Sequence, residues 1–210
     1  MAHENKPSGT RTLLLSVLMS APGPLVVGLG LLAGRSSTQI ADFVRRSAEL
    51  LAIVMSFAVY QATTKAVSCD PARRARLEQR SNAFVGAMMC LGGSFMVLLA
   101  LLSKNEDKGN VIPGLAIAVM GVIANTAFWV KYTRLHRKEP NSILQVQARL
   151  YRAKSMVDIC VTIALLSVVI APLSPVSYGL DFVGSLIVAL YLVSCGVQTI
   201  LEAVKQTKAP

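Results

Sequence analysis

The chain has 210 residues, of which 53% are hydrophobic and only 15% charged, with a formal net charge of +10. A soluble domain of this size carries about 25% charged residues, so the composition excludes one and points to an integral membrane protein. The basic residues cluster beside apolar runs, as topology determinants do, and no recognition module accompanies them, which excludes nucleic acid as a partner.

Residues 1–10 form a polar, flexible tail. The first apolar run, about 13–32, is long enough to span a bilayer and shows no small-residue cleavage site, so it is read as a span and not a removable signal. Pro22 and Pro24 predict a kink or local break within it. Gly30-Leu-Leu-Ala-Gly34 is a small-xxx-small pattern that permits close helix approach. A second helix, about 39–64, is apolar except for Asp42, Arg45, Arg46 and Glu49 near its start. A basic loop with Lys65, Arg73, Arg74, Arg76 and Arg80 follows. The third run, about 82–102, holds Gly86, Gly92 and Gly93, which suggest a tightly packed helix. The fourth, about 111–130, carries Asn125 and ends at Trp129, an interfacial anchor. A long polar stretch with Arg134, Arg137 and Lys138 leads to the fifth run, about 150–171, which contains Lys154 and Asp158. Pro172 and Pro175 end that run, and a loop without Lys or Arg leads to Asp181 and the sixth, about 181–201. Residues 203–210 are a short basic tail, so no cytoplasmic domain is expected after the last span.

Six spans give the fold class: an all-α, polytopic bundle forming one domain, about 11–202. The basic loops fall after spans two and four and the lysines of the tail after span six, so the positive-inside rule makes both termini cytoplasmic. The expected location is the bacterial inner membrane.

Ionisable residues inside apolar spans are costly and face a bundle interior or a wet cavity, so they are candidate functional residues. On a helix, Asp42, Arg45 or Arg46, and Glu49 share one face. Lys154 and Asp158 are the second such place. Cys69, Cys90, Cys160 and Cys195 are scattered singly as small apolar filler. His3 and His136 are the sole histidines, so no histidine-based zinc cluster can be assembled. Asn125, Thr162 and Ser56 are read as interhelical hydrogen bonds.

Several strings, in order, resemble the transmembrane domain of the cation diffusion facilitator (cation efflux) family: Ala41-Asp42-Phe-Val-Arg45-Arg46-Ser47-Ala-Glu49, Arg76-Leu-Glu78, Asn141-Ser142-Ile-Leu, Lys154-Ser-Met-Val-Asp158, and Leu180-Asp181. The resemblance runs from the first span to the sixth. It implies efflux of Zn²⁺ or another divalent cation, exchanged against a proton, with ligand pairs from spans two and five forming a tetrahedral site. Carried over residue by residue, Glu49 and Asp158 fall on acidic ligands, with Asp42 and Asp181 as secondary candidates. Arg45 and Lys154 fall on the other two ligand positions. A guanidinium has no acceptor and does not deprotonate, so Arg45 cannot ligate a cation, and Lys154 could do so only as the free amine. The family's cytoplasmic metal-binding domain is not expected here, so a homodimer is expected through membrane helices, on the glycine faces of spans one and three.

Three readings follow. Two acids and two bases around one cavity can pair off and leave an inert core, as in a non-transporting homologue serving as partner or regulatory subunit. Transport can persist in a shifted site using Asp42, Glu49, Asp158 or Asp181. Or the substrate has changed, for instance to an anion drawn to Arg45, Arg46 and Lys154. An enzyme is not expected: no nucleophile–base arrangement, phosphate loop or cofactor fingerprint occurs.

The orientation is directly testable. A cysteine replacing Arg74 is expected to be labelled only from the cytoplasmic side of intact cells, and one replacing Lys104 only from outside. External labelling at position 74 would invert the topology.

Overall fold

Helix starts and stops follow local chemistry. The computed structural model describes residues 8–33, 37–65, 70–102, 112–170 and 175–208. Helix α1 (Ser8–Ser20) ends where Ala21 N–H donates to Val17 O, at 2.9 Å, and α2 (Pro22–Ala33) begins at once. Pro22 and Pro24 have no N–H to donate, so the ladder fails there and the first span is broken where its prolines lie. Helix α3 covers Ser37–Lys65 and α4 Pro71–Leu102. Asp70 caps α4, its Oδ1 accepting from Ala72 N–H at 3.2 Å, with Pro71 at the first helical position. Helix α5 (Ile112–Lys138) closes on Arg137 and Lys138, cations at the negative end of the helix dipole. Asn141 caps α6 (Ser142–Ile170), with Oδ1 accepting from Ile143 N–H at 2.9 Å. The last helix, α7, is Pro175–Lys208. Every element is helical among the described residues.

Among the described residues four stretches are long and apolar enough to cross a membrane: Gly9–Leu29, Pro71–Leu101, Leu115–Lys138 and Phe182–Lys205. They lie on α1–α2, α4, α5 and α7. Helices α3 and α6 are as long as the others, but Arg45, Arg46 and Glu49 interrupt one and Arg152, Lys154 and Asp158 the other. The two helices that carry the charges are therefore those that need the bundle around them. Leu18, Leu25, Leu101, Met120 and Ile170 point outward and exposed, the inside-out pattern of a protein solvated by lipid.

Packing is pairwise. Helix α4 lies along α7 and α3; α6 lies along α5 and α7; α1 and α2 lean on α3. The α4–α7 seam is close because it is built on glycines. A Cβ on Gly86 would stand 2.7 Å from Gly196 O, and one on Gly93 would stand 2.6 Å from Val193 Cγ2 and 2.9 Å from Ala189 O. This corrects the expectation that Gly86 and Gly93 form a dimer face, because α7 of the same chain already occupies it. Gly34 lies outside the described residues. A second seam is aromatic: Tyr151 of α6 packs on Phe128 and Tyr132 of α5, with centroids 5.0 and 5.4 Å away. Ser16 of α1 gives its hydroxyl hydrogen to Leu13 O at 2.8 Å, so the Tyr132 hydroxyl must donate to Ser16 Oγ, also 2.8 Å away. That bond ties α1 to α5 in the interior.

Overpacking the glycine seam should be costly. Gly86→Leu or Gly93→Leu is expected to destabilise the monomer by about 1–3 kcal/mol or more. Gly184→Leu, on α7 where a Cβ would meet nothing within 4 Å, should be nearly neutral. Thermal unfolding of the purified protein, with the oligomer mass measured alongside, checks both; a changed mass with unchanged stability would restore the dimer face.

Candidate functional site

The site begins with spacing on one helix. Arg45 and Glu49 are four residues apart on α3, and Arg45 Nη1 donates to Glu49 Oε1 at 3.0 Å. Glu49 has a second oxygen, and Lys154 of α6 reaches it: Nζ lies 3.2 Å from Oε2. All three side chains are largely enclosed, with exposures of 16, 12 and 13% for Arg45, Glu49 and Lys154. Both carboxylate oxygens are thus engaged by fixed cations. Lys154 also stands 5.2 Å from the centre of the Tyr151 ring, whose face favours a cation.

Asp158, one turn further along α6, is held differently. Its Oδ2 accepts from Asn125 Nδ2 of α5 at 2.6 Å. No ion pair within 4.0 Å joins it to Lys154 or Arg45 among the described residues. Gly121, one turn from Asn125 on α5, makes the room: a Cβ there would stand 2.6 Å from Asp158 Oδ2. The carboxylate is seated against the α5 backbone.

The structure brings Arg45, Glu49, Lys154 and Asp158 to one place, but not as the two ion pairs that the exchanged ligand positions suggested. Glu49 takes both bases, and Asp158 takes an amide. Asp42 and Asp181 lie in α3 and α7, but their side chains are outside the described residues. Asn125 and Ser56 do make bonds between helices, Ser56 accepting from Gln147 Nε2 at 2.8 Å. Thr162 does not: its hydroxyl donates to Asp158 O of its own helix at 2.7 Å. Gly121 escaped notice, although its spacing of four from Asn125 marks one face of α5. Glu78 and Ser142, on two of the strings that carry the family resemblance, also meet, Ser142 Oγ donating to Glu78 Oε2 at 2.8 Å.

Arg45, Arg46, Glu49, Lys154, Asp158 and Asn125 all line one cavity of about 510 Å³. Its other walls are Gly23 and Pro24 at the start of α2, and apolar or aromatic groups including Phe128, Tyr151, Val157 and Val161. Among the described residues no three His, Cys, Asp or Glu side chains converge as metal ligands. A divalent ion needs several oxygen, nitrogen or sulfur donors. Here Glu49 is already neutralised, and Asp158 supplies one carboxylate.

The profile of the cation efflux transmembrane domain matches residues 13–206, which is nearly the whole chain. No curated protein matches it.

The ion pairs should carry stability. Lys154→Met leaves a mostly enclosed carboxylate with one partner fewer and is expected to cost about 3–5 kcal/mol. Asn125→Ala, which removes a hydrogen bond to a charged group, should cost about 1.5–3 kcal/mol. Thermal unfolding of the detergent-purified variants checks both. A neutral Lys154→Met would mean that Arg45 alone suffices.

Proposed function

The chain belongs to the cation efflux family, and we propose that it is a transport protein in which the site between α3 and α6 is neutralised from within instead of by a divalent substrate ion. It is an integral membrane protein of a family of transporters. The observation that carries the proposal is the engagement of both Glu49 oxygens, by Arg45 at 3.0 Å and Lys154 at 3.2 Å. A tethered ammonium and a guanidinium stand where a divalent ion would otherwise offset two carboxylates. Zn²⁺ or a similar ion would have to displace Lys154 and then coexist with Arg45, which has no lone pair to offer. The large cost of enclosing unpaired charge favours the internal pair. Asp158, with no ion-pair partner among the described residues, is the carboxylate left for substrate or proton.

The same proposal sets both termini and the basic loops on the cytoplasmic side of a bacterial inner membrane. It assigns the chain no enzymatic role. A homodimer would form on outward faces of the membrane helices, since α7 fills the glycine face of α4.

A second reading has one observation behind it. The Glu49–Lys154 bridge joins α3 to α6, and the Ser56–Gln147 bond joins them again nearer the basic end. Two such ties oppose any separation of these helices, as expected of a non-transporting partner or regulatory subunit of an active transporter.

Zinc binding separates these readings from ancestral divalent transport. The native protein is expected to show no Zn²⁺-driven proton flux in reconstituted vesicles and little thermal stabilisation by Zn²⁺. Arg45→His combined with Lys154→His restores four potential ligands with Glu49 and Asp158, and should gain stability by mass action, about 2.7 kcal/mol at a hundredfold excess over Kd. Equal stabilisation of native and variant proteins would overturn the internal-neutralisation proposal.

A further inference from the structure

Away from the charged cavity, a groove of about 690 Å³ runs along α5, and every described residue that lines it belongs to that helix. Val122, Ile123, Ala127 and Val130 form its apolar length, and Lys131 and Arg134 stand at the end toward the basic terminus of the helix. Ile123 is 65% exposed and Val130 39%, so in a membrane this length is filled by lipid hydrocarbon. Thr126 lies among them, but its hydroxyl pairs with Ser155 Oγ of α6 at 2.7 Å. The apolar length therefore offers no unbonded side-chain polar atom.

Helix rise sets the dimensions. Val122 to Val130 covers about 12 Å along the axis, and Val122 to Arg134 about 18 Å. Half of a bilayer's hydrocarbon core is about 15 Å thick. The apolar length thus matches one leaflet, and the two cations reach the headgroup level. Trp129, an interfacial anchor, lies at the same level.

Neither cation is used by the fold. Lys131 and Arg134 are exposed, and neither has an ion-pair or hydrogen-bond partner among the described residues. Arg137 and Lys138 already meet the helix dipole in the last turn of α5, and its effect fades before Lys131, about two turns from the end. Three residues apart on one helix face, Lys131 and Arg134 are neighbours of like charge and repel each other. An anion between them removes that repulsion.

An apolar length one leaflet deep, ending in two unpaired cations, is complementary to one kind of molecule. We propose that this groove seats an anionic phospholipid, with an acyl chain along Val122, Ile123, Ala127 and Val130 and the phosphate between Lys131 and Arg134. A net-neutral phospholipid has the same chains and phosphate but brings its own cation against the two basic side chains, so the anionic class is preferred. Nothing in this seat depends on how Glu49 is neutralised.

Native mass spectrometry of the full chain in detergent, titrated with dioleoyl phosphatidylglycerol or dioleoyl phosphatidylcholine, tests this. The first phosphatidylglycerol is expected to bind about tenfold or more tightly than phosphatidylcholine. Lys131→Gln with Arg134→Gln should abolish that preference. Arg137→Gln with Lys138→Gln removes the same charge outside the groove and should leave the preference within about twofold of native. Ala127→Phe, which fills the groove without touching a charge, should weaken binding of both lipids about tenfold; the paired charge variants serve if it does not fold. Equal binding of the two lipids by the native chain overturns the proposal. An equal loss in the Arg137 and Lys138 variant would mean a diffuse basic field and no seat. Glycerol 3-phosphate binding as tightly as phosphatidylglycerol would mean that the apolar length contributes nothing, which overturns it too. A dimer mass lost in Ala127→Phe, with phosphatidylglycerol binding intact, would give this face to a second copy of the chain.

Discussion

A carboxylate held between two cations inside a lipid-solvated bundle sets the terms for the rest of this molecule. Each charged side chain at the centre of a bilayer costs about 2.5–3.5 kcal/mol on insertion scales. Helix α3 meets that cost in part on its own surface, through Arg45 and Glu49, and in part through Lys154 of α6. The remaining helices can then be ordinary. Helices α4, α5 and α7 are apolar enough to span unaided, and they pack by glycine and aromatic contacts that need no charge.

Bringing Lys154 to the depth of Glu49 requires α6 to be held in register, and polar contacts along its length do this. At its first residue Ser142 donates to Glu78 of α4, whose carboxylate also suits the positive end of the α6 dipole. Further along, Gln147 donates to Ser56 of α3, and Ser155 pairs with Thr126 of α5 at 2.7 Å. Beyond Lys154, Asp158 accepts from Asn125. Helix α6 is thus gripped by three neighbours in succession, and a slip of one residue would lose all of these bonds at once.

The helical character of the chain and the interruption at Pro22 and Pro24 were legible from residue type and spacing, whereas the meeting of Arg45, Glu49, Lys154 and Asp158 was legible only through the family resemblance. What was not legible depends on rotation about helix axes and on reach. Whether Asp158 finds Lys154 one turn away or Asn125 on another helix is decided by how closely α5 approaches, and Gly121 sets that approach. A glycine stripe such as Gly86 and Gly93 announces a close neighbour but does not say whose helix it is; here it is α7. Thr162 has the Asp158 carbonyl of its own helix at hand, and that local bond won over any interhelical one. A cavity was expected, but its shape could not be anticipated, because its start-of-α2 wall comes from a break in the first span whose direction no sequence pattern encodes.

The Arg45–Glu49 contact has a meaning for biogenesis. A polytopic chain is made from its N-terminus, so α3 must enter the lipid well before the residues of α6 have been joined to it. Lys154 cannot help at that stage. The contact that can is local, made four residues apart as soon as the helix winds. Glu49 therefore has a nascent-chain partner in Arg45 and a late-arriving one in Lys154, and the order of the two is dictated by the direction of translation.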